Sequence, residues 1–229
     1  NLAPNSEFWP VVKSNAYGHG SKEIVSFLKD NEDVAGFMVA NLEEALEIKS
    51  LTKKPIIVLS YFDRDNIDLL KKVDSQISLP IYDLDIVDYL QALNKDILVN
   101  VKIDTGTTRL GFKVADVAEA VKYIESQKNL NIFSIFTHYA ESESENQDFT
   151  KEQLEIFEKV TENYKKYKLH SACSAASIAL PEAQGEIIRI GLAFYGLWPS
   201  EPTKRRAWMS QVCLQPLMTW KTKVIQVKE

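Results

Sequence analysis

The sequence predicts an α/β fold, specifically a (β/α)8 TIM barrel, from three observations. Short apolar, strand-like runs alternate with segments of helical periodicity; eight runs can be marked, and seven are followed by a helical pattern. Polar residues able to do chemistry gather at the carboxyl ends of these runs, where barrels of this kind build their active-site loops. The three histidines, His19, His138 and His170, fall after the first run, at the end of the sixth and in the seventh. A doubly wound open sheet would show the same alternation; eight units favour closure into a barrel.

The first run is Phe8–Lys13, followed by a helix over Ser21–Lys29 with Ser21 as cap and Ile24, Phe27 and Leu28 as an apolar stripe. Val34–Val39 precedes the helix Leu42–Ser50, capped by Asn41. Pro55–Leu59 leads to Asp63 and the helix Asn66–Val73, and Gln76–Ile81 leads to Ile86–Leu93. The fifth pair is Ile97–Asp104 with Val114–Gln127. The sixth is Leu130–His138, a polar loop Glu141–Asp148, and a helix from Thr150 to about Tyr167. Leu169–Cys173 precedes a short helix from Ser174, and Ile187–Gly191 is the eighth run. Residues 215–229 break the β–α pattern, and their alternation reads as an antiparallel strand. The expected division is therefore a barrel over 1–214 and the first strand of a second, β-rich domain over 215–229, with the remainder of that domain absent.

Composition narrows the function. With 45% hydrophobic and 26% charged residues and a net charge of −5, the chain has an ordinary soluble composition and no basic run to suit nucleic acid. No apolar stretch reaches the roughly 20 residues needed to span a bilayer, and no signal-peptide pattern opens the chain. The two cysteines, Cys173 and Cys213, lack metal-ligand spacing and read as reduced thiols of a cytoplasmic protein.

Two strands carry chemistry as patterns. Lys13 ends an apolar run and opens the polar turn Ser14–Gly20. An amine at the mouth of a pocket loses hydration, its pKa falls, and the neutral form attacks a carbonyl to give a Schiff base. In the fifth run Asn100, Lys102 and Asp104 share one face; a parallel barrel covers both faces of a strand, so this polar face should line the lumen or the active site.

Five segments resemble, in order, the motifs of the alanine racemases, which bind pyridoxal 5′-phosphate (PLP). They are Val12–Gly20 (VKSNAYGHG), Val101–Gly111 (VKIDTGTTRLG), Thr137–Ala140 (THYA), His170–Ala176 (HSACSAA) and Arg189–Gly196 (RIGLAFYG). The departures are Ser14 for a usual Ala, Thr107 for Met, Tyr139 for Phe and Cys173 for Asn. The resemblance covers roughly residues 8–228.

It implies that Lys13 holds PLP and serves as one base in interconverting L- and D-alanine, supplying D-alanine for the bacterial cell wall. Arg109 would contact cofactor and substrate carboxylate, oriented by Lys102, which is carbamylated in many members. Tyr17, Ser174, Gly191 and Leu192 would hold the phosphate, with His138 also beside the cofactor. Arg189 would face the pyridine nitrogen, with His170 packed behind it; an arginine donates but does not take a proton, so the nitrogen stays unprotonated. The family's second base is a tyrosine of the C-terminal domain, contributed by the partner in a homodimer, so a chain ending here would bind PLP but racemise poorly. The family also begins with a strand and helix before the lysine strand, whereas only Asn1–Glu7 precede it here. Two alternatives stay open: a non-catalytic, single-domain PLP-binding homeostasis protein, and a racemase for serine or another amino acid.

Overall fold

The computed structural model describes residues 3–209 and 212–228; Asn1, Leu2, Ser210, Gln211 and Glu229 lie outside. The strands are β1 (Glu7–Pro10), β2 (Phe37–Val39), β3 (Ile56–Val58), β4 (Ile77–Ile81), β5 (Ile97–Asp104), β6 (Phe112–Lys113), β7 (Leu130–Phe136), β8 (Lys168–His170) and β9 (Ile187–Ile190). Among the described residues every named pairing is parallel. One sheet runs β2-β3-β4-β5-β7-β8, and β1 pairs with β9. Two seams join these into a closed barrel. Ala35 N–H donates to Phe8 O and Val12 N–H to Met38 O across β1 and β2, while Arg189 N–H donates to Ala172 O beside β8 and β9. The two-residue β6 hangs on β5 outside the ring.

Helices fill the crossovers: α1 (Lys13–Tyr17), α2 (Ser21–Leu28), α3 (Leu42–Lys49), α4 (Ile67–Leu70), α5 (Leu84–Ala92), α6 (Val117–Ser126), α7 (Asp148–Thr161), α8 (Ser174–Ala179) and α9 (Glu201–Met209). Local sequence explains several starts. Asn41, Asn66 and Asp83 each accept from the N–H three residues on, satisfying a donor that a helix leaves unpaired. Val117, Val121 and Ile124 of α6, three and four apart, are buried against the barrel wall.

Four expectations are corrected. Regular pairing of the first strand ends at Pro10, so Lys13 begins the turn beyond it rather than ending the strand. Ser21 is the first residue of α2, not its cap; Gly20 holds the cap position, and Ser21 N–H donates to Asn15 Oδ1 at 2.9 Å. Phe27 is 84% exposed while Val25 is buried, so the apolar stripe of α2 lies to one side of the expected face. The alternating stretch from Gln215 forms no strand among the described residues 212–228, because a ladder needs a partner strand and none lies beside it. Leu217 N–H instead donates to Tyr195 O.

Candidate active site

The loops at the carboxyl ends of the strands enclose a cleft of about 400 Å³. Lys13, Tyr17, Lys102, Arg109, His138, Ser174, Arg189, Gly191 and Leu192 all line it. His170, the remaining predicted residue, lies fully buried one layer behind.

Lys13 is presented by an unusual backbone. Ser14, Asn15, Ala16 and Tyr17 have φ of 53°, 52°, 53° and 53°, a left-handed turn of four consecutive residues. Each L-residue in this conformation costs roughly 1–2 kcal/mol, so such runs need support from their surroundings. Gly18, itself at φ 88°, turns its N–H back to Asn15 O, and Gly20 N–H reaches the same carbonyl. The buried Tyr195 stacks on His19 at 4.6 Å and donates its hydroxyl to Val11 O at 2.9 Å. The turn places Lys13 Nζ 6.0 Å from the centre of the Tyr17 ring.

Next to this turn, on the strand β9 that pairs with β1, Arg189 is 4% exposed and anchors a buried polar chain. Its guanidinium donates to Thr137 O at 3.0 Å, Ser171 O at 2.5 Å and His170 Nδ1 at 2.8 Å. Arginine only donates, so His170 Nδ1 must accept, and the ring proton sits on Nε2. That proton goes to Ser134 Oγ at 3.0 Å, whose own proton goes to Asn100 Oδ1 at 2.7 Å. The ordered chain runs from cleft to barrel interior. Burial, then the Arg189 charge, keeps His170 well below the usual histidine range, so it stays neutral. Burial likewise lowers Arg189 to about 10, still protonated near neutrality. The Phe136 ring stacks on His170 at 5.0 Å and lies under the Lys102 ammonium at 5.7 Å.

The electrostatics are lopsided. Lys13, Lys102, Arg109 and Arg189 face the cleft against one lining carboxylate, Glu143. Burial first, then the charges of Arg109 and Arg189, lower Lys102 to about 8, so much of it is neutral in mildly alkaline solution. Burial and the Arg189 charge also bring His138 down to about 3. A pocket so charged suits an anionic ligand.

At its rim Ser174 Oγ accepts from Gly191 N–H at 2.9 Å and Ala193 N–H at 3.4 Å. A Cβ on Gly191 would stand 2.5 Å from Tyr17 Oη, so a larger residue there would push the Tyr17 hydroxyl out of its place. Tyr17 Oη, Ser174 Oγ and backbone N–H groups thus converge on one spot. Gly191 N–H is engaged by Ser174, so an incoming oxyanion would have to displace that hydroxyl to use it. Cys173 lines the same cleft, with its sulfur 3.2 Å from Ser142 Oγ.

Sequence reasoning missed several contributors. Glu143 sits in a loop whose only sequence signal is its polarity, and Phe136 looks like any apolar strand residue. Ser134 is one hydroxyl in an apolar run; the polar face of β5, including Asn100, is the available clue to its partner.

Comparison with known proteins agrees with this geometry. Residues 1–199 match the family described as alanine racemase, N-terminal domain. The chain is 33% identical to an alanine racemase of Methanococcus maripaludis, covering 99% of this chain and 62% of that protein. It is 32% identical to one of Carboxydothermus hydrogenoformans, covering 100% and 62%. The structure of the alanine racemase from E. faecalis superposes with a TM-score of 0.82 at 28% identity, covering 93% of this chain and 58% of that one. The chain thus spans about three fifths of the length of the relatives it matches. By sequence match and by barrel architecture alike, the chain belongs to the alanine racemase N-terminal domain family.

Proposed function

We propose that this barrel is the PLP-binding part of an enzyme that interconverts L- and D-alanine. The observation that carries the reading is that Lys13 and Arg189 line one cleft together with the Tyr17–Ser174–Gly191 rim, in a chain of this family. The residues fit the cofactor: hydroxyl and backbone donors suit its phosphate, a lysine amine its aldehyde, and a donor-only arginine an unprotonated ring nitrogen. When bound, PLP supplies an electron sink that lets the α-proton of an attached amino acid leave.

The chain's own residues do the rest. Lys13 Nζ anchors the cofactor and, released, takes or returns the α-proton on its side of the cleft. Arg189 would donate to the ring nitrogen, with its guanidinium held in place by the ordered His170–Ser134–Asn100 chain. Because an arginine does not hand over its proton, Arg189 would leave that nitrogen unprotonated and so would temper the electron withdrawal the cofactor supplies. Arg109 and the cleft's positive field hold the substrate carboxylate. Lys102, neutral in part at mildly alkaline pH, is placed to react with carbon dioxide and become a carbamate that orients Arg109. With carbon-13 bicarbonate, a carbamate signal missing from Lys102→Arg checks this.

The group serving the opposite face is assigned, following the family resemblance, to a tyrosine of the C-terminal domain of a partner subunit in a homodimer. The 229-residue chain with PLP and L-alanine in heavy water should therefore exchange the α-proton faster than it accumulates D-alanine. Loss of one positioned acid–base group lowers rates by about 10²–10⁴-fold. Lys13→Ala should abolish both processes. D-alanine formed as fast as exchange would place both bases in this barrel, and exchange on serine at the alanine rate would change the substrate assignment. The family resemblance also supports a cytoplasmic location. Among the described residues no helix is long and apolar enough to cross a membrane.

A further inference from the structure

Resting on the reading of Lys13 as the cofactor lysine, we propose that Glu44 is a positioning residue whose carboxylate clamps the left-handed turn to the end of β2 and so fixes where Lys13 Nζ stands. Glu44 lies in the first turn of α3 and is not among the residues lining the cleft. Its Oε1 accepts from Ser14 N–H at 2.7 Å and its Oε2 from Ala40 N–H at 2.8 Å. Its own N–H goes to the cap Asn41 at 2.9 Å, which holds the helix end in place beneath the carboxylate.

One side chain therefore ties the residue after Lys13 to the residue after β2. Ser14 is the first left-handed residue, and its N–H points away from the turn, where no local carbonyl receives it. L-residues favour the right-handed form, so a turn released at this N–H has a downhill alternative that would carry Tyr17 and the stem of Lys13 with it. Both contacts require acceptors. A carboxylate offers two, whereas a glutamine would set its amide N–H₂ against one of the backbone N–H groups.

The test compares the full chain with Glu44→Gln, Glu44→Ala and Asn41→Ala, which removes the α3 cap but keeps the carboxylate. Each is incubated with PLP while the borohydride-reducible linkage on Lys13, the circular dichroism of the bound chromophore and the melting temperature are recorded. Both Glu44 variants should form the linkage about 10²-fold more slowly, as expected for a misplaced reacting group, and alter the chromophore's dichroism. Added formate should restore the rate in Glu44→Ala. Asn41→Ala should lower the melting temperature without either change.

Wild-type rates and dichroism in both Glu44 variants would overturn the clamp, as would an equal slowing in Asn41→Ala. Amide hydrogen exchange at Ser14 without cofactor reads the clamp separately: it should quicken in Glu44→Gln, and unchanged exchange overturns the proposal. A wild-type chain that takes no PLP on Lys13 but shows the Ser14 effect would sink the cofactor assignment and leave the clamp standing.

Discussion

The two sides of the barrel are built from different materials. On one arc β2, β3 and β4 are fully buried, nearly all aliphatic or aromatic, and the loop ends after them give the cleft only Ala40, Leu59 and Ser60. On the other arc β5, β7, β8 and β9 bury Asn100, Lys102, Ser134, His170 and Arg189. Burying polar groups is costly unless they find partners. Here Arg189, His170, Ser134 and the Asn100 side-chain carbonyl do so in one hydrogen-bonded chain, while Asn100 Nδ2 has no partner among the described residues. One arc is apolar wall, and the other carries most of the buried polar groups behind the cleft. Damage to the two should therefore have different consequences.

The largest effect should come from Arg189→Leu. It leaves Thr137 O, Ser171 O and His170 Nδ1 without their buried donor, each worth about 1–3 kcal/mol. Chemical denaturation should show a loss of several kcal/mol together with loss of PLP retention, and Arg189→Lys should recover only part of either. On the aliphatic arc Ile57→Ala should cost about 2–5 kcal/mol through the cavity it opens, yet leave PLP attachment to Lys13 intact once the protein is folded. Equal loss of attachment in both variants would erase the distinction between the arcs.

Two smaller, pH-dependent effects come from the polar arc. His138 is held at about 3 in the folded chain against 6.5 ordinarily, so between these values the unfolded chain binds the extra proton. Its contribution is present above pH 6.5 and is lost as pH falls towards 3, and His138→Phe should flatten that part of the profile in urea titrations. Lys102, lowered from 10.5 to about 8, follows the same sign at higher pH: stability rises across that interval. Lys102→Met should thus be more stable than wild type at pH 7, with the advantage shrinking as pH nears 10.5.

The barrel is legible in the sequence because β–α alternation leaves a periodic trace, and the site because its residues cluster at strand ends in long motifs. What escapes a linear reading is non-local. Nothing in Lys13–Tyr17 announces a left-handed turn; the group that receives Ser14 N–H is a carboxylate 30 residues away. The helix α9 leaves little trace, as its mostly polar residues show no strong stripe. Ser134 is easily passed over because the meaning of a hydroxyl in an apolar strand depends on what faces it across the sheet, here Asn100 and His170. Phe27 departs from expectation because three apolar residues four or fewer apart define a helix face only to within one position.

If the strained turn gives Lys13, and no other lysine, to the cofactor, covalent labelling should find that residue alone. The chain is treated with PLP at limiting reagent, reduced with borohydride, and the modified peptide mapped by mass spectrometry. Lys102 is the informative competitor, since it shares the cleft and burial lowers its amine to about 8. A single modified site at Lys13 is expected, lost in Lys13→Ala without transfer elsewhere. Modification centred on Lys102, or spread over surface lysines in the wild-type chain, would contradict it.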